Sequence, residues 1–157
     1  MSVIYATSEG KKGLEARLEE LVKQRVDIAN QIKVAREFGD LRENAEYAAA
    51  REAQNNLESE ILQIEAMIPQ IRLFSYAKAD TSAANLGTKV SVEIVGRKMK
   101  VDFVITGGLE SDIDKNYVSN ESPVGRALLG KKVGDTVSVK VPAGNISYKI
   151  LAISAVN

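Results

Sequence analysis

At 157 residues the chain has room for one domain or two small ones, and 21 basic against 21 acidic side chains leave no net field drawing it to nucleic acid or a membrane. Without cysteine it has neither disulfides nor thiolate metal sites; without histidine it lacks the commonest general base and a common zinc ligand. Carboxylates, hydroxyls, lysines or arginines must carry any part it takes in catalysis.

No apolar run approaches the ~18 residues of a membrane span and the first residues are polar, so a soluble cytoplasmic protein with no membrane partner is expected. The zero net charge conceals a split. Residues 1–76 carry 10 basic and 13 acidic side chains, and residues 77–157 carry 11 and 8. Such asymmetry suggests two parts with different surfaces.

The first part has the pattern of a helical hairpin. Leu14, Leu18, Leu21, Ile28, Ile32 and Ala35 alternate in steps of four and three, with Arg25 in the polar slot between Leu21 and Ile28. Thr7 or Ser8 can cap the start. Ala50, Leu57, Ile61, Ile64, Ile68 and Ile71 repeat the alternation around Gln54. The link is short, which makes the helices antiparallel neighbours and sets Arg25 near the level of Gln54 and Leu57. Pro69 is expected to kink or end the second helix near Met67 or Ile68. A dimerisation coil would show the same stripes, but a hairpin satisfies its own seam, so a monomer is expected. At 1.5 Å per residue, about 25 residues make a helix roughly 37 Å long, which carries the turn far from any globular body.

The turn "REFGDLRENAEY" concentrates carboxylates at Asp40, Glu43 and Glu46. Gly39 suits a left-handed residue ending helix one, Asp40 the N-cap of helix two, and Glu43 the acid of a capping box. The same spacing also brings two carboxylates together as a half-site for a hard cation such as Mg²⁺. Spacing leaves both roles open.

The second part has the pattern of a small β-rich domain. "KADTSAANLGT" is expected to be a linker over residues 77–87. Val90, Val92 and Ile94 then alternate, as do Met99, Val101, Phe103 and Ile105, with "VGRK" as the hairpin turn between them. Val137, Val139 and Val141 lead through "PAGN" to Ile146, Tyr148 and Ile150. The expected sheet is antiparallel. One short helix covers its apolar face, capped by Ser122, opened by Pro123 and stopped by Gly130. The fold class is therefore α+β, with a helical hairpin over 1–76 and a β-rich domain over 88–157.

"AREFGDLRENAEYAAAREAQ" resembles the hairpin tip of the bacterial Gre transcript-cleavage factors. "NYVSNESPVGRALLGKKVGDTVSVKVPAGNISYKI" is similar to that family's C-terminal domain, whose fold resembles FKBP. The resemblance implies that the C-terminal domain binds RNA polymerase and that the hairpin enters its secondary channel. There the tip acids help hold a second Mg²⁺ while the polymerase cleaves a backtracked RNA 3′ end. It implies no cofactor held by the chain alone and no nuclease activity of its own. Asp40 and Glu43 match the metal-assisting pair; Asn44, Glu46 and Tyr47 match the flanking tip. Arg51 matches an RNA-proximal position, with Arg36 and Arg42 nearby. Ser122 and Pro123 lie in the polymerase-binding loop. Ala48 stands where many relatives have a larger polar residue, and Phe38 has no assigned role. The alternatives are a channel-blocking inhibitory relative, a prolyl isomerase or chaperone, and a coiled-coil adaptor. The sparse aromatic content argues against the isomerase.

Overall fold

The computed structural model describes residues 3–40 and 44–156. In chain order its elements are β1 (Ile4–Ala6), α1 (Ser8–Arg36), α2 (Ala45–Met67), β2 (Ile71–Leu73), β3 (Thr88–Ile94), β4 (Met99–Thr106), β5 (Tyr117–Ser119), α3 (Pro123–Leu128), β6 (Thr136–Val141) and β7 (Gly144–Ala155). They fall into two compact units, Lys11–Gln70 and Met1–Gly10 with Ile71–Asn157.

The first unit is the helical hairpin. Thr7 Oγ1 accepts from the Gly10 N–H at 3.0 Å and caps α1. Leu21, Leu57, Ile61 and Ile64 form the buried seam, flanked by Leu14, Leu18, Ile28 and Ile68. Ile32, Ala35 and Ala50 extend it, also buried, toward the turn. Pro69 has no N–H for the ladder, and α2 gives way to a 3₁₀ turn at Ile68–Gln70. Ile71, the last member of the apolar stripe, therefore belongs to β2. Arg25 does not meet Gln54. Its Nε and Nη2 donate to Glu58 at 2.7 and 2.8 Å, while Gln54 Oε1 accepts from Arg51 at 2.8 Å. A guanidinium long enough to cross the seam takes a bidentate carboxylate in preference to an amide. Arg17 binds Glu60 in the same way, at 2.9 and 3.2 Å. These exposed pairs favour one register more than they add stability.

The second unit is built on a five-stranded sheet in the order β5-β4-β3-β7-β6. The β4–β3, β3–β7 and β7–β6 pairs are antiparallel, but β5 runs parallel to β4. The sheet is thus mixed rather than wholly antiparallel. Val90, Val92, Phe103, Ile105, Val137, Val139, Tyr148 and Ile150 supply its core, closed by Leu128 of α3. Met99, assigned by alternation to the inner face of β4, is 54% exposed at the strand's first position. Ser122 Oγ caps α3 by accepting from the Gly125 N–H at 3.1 Å, Pro123 opens the helix, and Gly130 follows it at φ +80°.

Two segments sit differently from the sequence reading. β1 pairs in parallel with β2, Ile4 opposite Ile71 and Ala6 opposite Leu73. A Cβ at Gly107 would overlap the Tyr5 carbonyl oxygen, so only glycine allows that approach. Glu110 Oε1 accepts from the Thr7 N–H at 2.9 Å and shares a 2.7 Å hydrogen bond with its hydroxyl. The ends of the proposed 1–76 hairpin thus lie in the β unit. The 77–87 segment is not a free linker either. Ala84 is 0% exposed, donates to the Lys131 carbonyl at 2.7 Å and accepts from the Gly130 N–H at 2.8 Å. Its small polar neighbours resemble a linker only because its partners lie far along the chain.

Candidate functional site at the hairpin turn

α1 has 29 residues, a length of about 43 Å. Past Arg36 the chain tightens, with Glu37 N–H donating to Val34 and Phe38 N–H to Ala35. Gly39 then takes φ +108°, a left-handed conformation that glycine reaches without strain. Asp40 follows, exposed to solvent.

Asp40 is not the cap of α2. That helix begins at Ala45, and its N-cap is Asn44, whose Oδ1 accepts from the Tyr47 N–H at 3.0 Å. The same side chain donates through Nδ2 to the Ala35 carbonyl at 2.6 Å. An amide joins the two helix ends because it both donates and accepts, whereas a carboxylate only accepts. A helix end leaves carbonyls that need donors, and a helix start leaves N–H groups that need acceptors. Asn44 answers one of each, so the carboxylate of Asp40 is not what starts α2. The capping-box and metal-assisting roles of Glu43, and the RNA-proximal role of Arg42, lie outside the described residues.

Phe38, Asp40, Asn44, Ala45 and Glu46 line one shallow depression of about 420 Å³. The structure therefore brings together three predicted tip residues, Asp40, Asn44 and Glu46. Tyr47, the fourth, lies half-buried beneath Arg36, whose guanidinium carbon is 6.0 Å from the ring centroid. That distance is at the outer reach of a cation–π contact. Arg51 lies further along α2 and bonds Gln54. Ser122 and Pro123 belong to the other unit, at the start of α3. Sequence reasoning missed the double role of Asn44, although an Asn just before a helix-forming run with an acid in its first turn is itself a start signal.

The carboxyl groups of Asp40 and Glu46 are hard oxygen donors of the kind Mg²⁺ takes. Among the described residues no three His, Cys, Asp or Glu side chains gather into a metal-holding group. Also among the described residues, no helix is long and apolar enough to cross a membrane.

Both units match one family. Residues 4–73 match the family model described as the N-terminal part of a transcription elongation factor, and residues 79–155 the model of the GreA/GreB C-terminal part. The chain belongs to the GreA/GreB family of transcription elongation factors. Within it, the chain is similar to proteins named transcription elongation factor GreA. That of Thermoanaerobacter pseudethanolicus is 43% identical over 151 residues, 96% of each chain. That of Clostridium acetobutylicum is 44% identical over 148 residues, 94% of each. The crystal structure of GreA factor homolog 1 of Thermus thermophilus covers 98% of this chain and 99% of its own at 21% identity, with a TM-score of 0.44. The GreA relatives favour an elongation factor over the inhibitory, isomerase and adaptor alternatives.

Proposed function

We propose that this chain binds a bacterial RNA polymerase, enters its secondary channel with the hairpin, and stimulates the polymerase's own cleavage of backtracked RNA 3′ ends. It acts as a monomer and contributes no nucleophile. The observation that carries this reading is an exposed Asp40 at the hairpin turn, sharing a depression with Glu46 and not serving as the α2 cap.

Asp40 and Glu43 would hold a Mg²⁺ ion jointly with the polymerase. Such an ion neutralises charge on the phosphodiester and lowers the pKa of bound water. The rest of the work belongs to the chain. Asn44 fixes the spacing of the two helix ends, and Gly39 turns the backbone so that Asp40 faces outward. Arg51, on the exposed surface of α2, would offset phosphate charge on the extruded RNA. In the β unit, the loop with Ser122 and the exposed Pro123 meets the polymerase.

Asp40→Asn removes the charge and leaves the Asn44 cap in place. RNA release from stalled elongation complexes should then fall about 100-fold, with polymerase binding unchanged. Normal release by this variant would reject the proposal.

A further inference from the structure

The chain has three phenylalanines. Phe74 packs edge-on against Tyr76 at 5.3 Å between ring centroids, and Phe103 against Tyr148 at 5.6 Å. Phe38 differs: it is 68% exposed and lines the tip depression beside Asp40 and Glu46. It directly precedes Gly39, whose positive φ holds the chain in its reversal there. An apolar ring kept in water beside two carboxylates contributes little to folding.

We propose that Phe38 is a stacking platform for an unpaired nucleobase, and that it positions the 3′-terminal region of RNA against the tip carboxylates. The inference rests on the function proposed above and adds a binding role to the same tip. The choice of ligand follows from charge. Carboxylates oppose a bare phosphate, so a nucleotide's approach is favoured through its uncharged base. An exposed aromatic face accepts any base, because every base has a π-face. The base stacks on the ring, and the acids approach the phosphodiester only through the cation shared with the polymerase in the function proposed above, which would offset their like charge.

The test measures cleavage in stalled complexes whose RNA carries either a normal or an abasic 3′-terminal nucleotide, alongside polymerase affinity by competition. Phe38→Ala should slow cleavage of normal RNA about tenfold without changing affinity, and Phe38→Tyr should restore the rate. On abasic RNA the wild-type factor should fall to the Phe38→Ala rate, and the substitution should have no further effect. A wild-type rate for Phe38→Ala, an equal loss on abasic RNA, or a loss explained by weaker polymerase binding would each overturn the platform. Asp40→Asn runs in parallel. If it is inactive while Phe38→Ala is normal, only the platform fails; if it cleaves normally, both proposals fail.

Discussion

The two units are held together by different means. The hairpin depends on a single row of leucines and isoleucines between two helices, with Arg17–Glu60 and Arg25–Glu58 bridging its exposed flanks. The β unit encloses its core between a sheet and α3, using residues as far apart as Ala84 and Ile150. A single-row seam sets a length and a register cheaply in sequence, and it can close up locally when a side chain is shortened. An enclosed core cannot. The element that presents the site is therefore the more forgiving of the two.

Truncations on each side test this contrast. Leu128→Ala, at a fully buried position against the sheet, should cost about 4 kcal/mol, because the surrounding strands leave a cavity they cannot fill. Ile61→Ala, as deeply buried in the seam, should cost about 2 kcal/mol, since two helices can shift together and water can reach the gap. Two units need not unfold together, so residue-level hydrogen exchange in denaturant is the measurement. Equal costs would show that the seam is as rigid as the enclosed core.

The contrast also governed what the sequence revealed. Both long helices showed in steps of four and three, and α3 showed through Ser122, Pro123 and Gly130, because those signals act within a few residues. β1 and β2 did not show. Each has three residues, too few for a period, and Ile4 finds its partner at Ile71. The parallel placement of β5 and the embedding of Ala84 are equally non-local. At the site, Gly39 and the turn were legible, but the cap was assigned to the wrong residue. Asp and Asn cap almost equally well, and the Asp40–Glu43 spacing fits a capping box. Only the Ala35 carbonyl, nine residues away and in need of a donor, selects Asn44.

Substitution at Asn44 sharpens that point. Asn44→Ala loses the cap and the tie to Ala35 together and should destabilise the hairpin by about 2 kcal/mol. Asn44→Ser keeps an acceptor for the Tyr47 N–H but is too short to reach α1, so about half of the loss should return. Helix ellipticity during thermal unfolding reports the difference. If serine restores everything, the bond to Ala35 has no energetic role, and the two helix ends are not coupled through this side chain.

The smallest effect separates the units by mechanism. Each contains a carboxyl group held below its ordinary value. For Glu58 the chief cause is the hydrogen bond from Arg25, with the guanidinium charge assisting and desolvation opposing. For Asp80 the chief cause is the backbone N–H of Ser82, which donates at 2.9 Å. A carboxyl group depressed in the folded state stabilises above its unfolded value, and that contribution fades as pH falls through the folded one. Both groups therefore favour folding at neutral pH and lose that influence in the acid range, Glu58 from about 4.5 downward and Asp80 from about 3.8. Salt should part them. The Glu58 partner is a solvent-exposed charge, which 1 M salt screens within about 3 Å, while the Ser82 N–H carries no net charge to screen. Carboxyl NMR titrations at low and high salt should show Glu58 moving up toward its ordinary value and Asp80 nearly still. An equal response would mean that the hairpin's bridges act through hydrogen-bond geometry alone, leaving charge no part in choosing the register of α1 against α2.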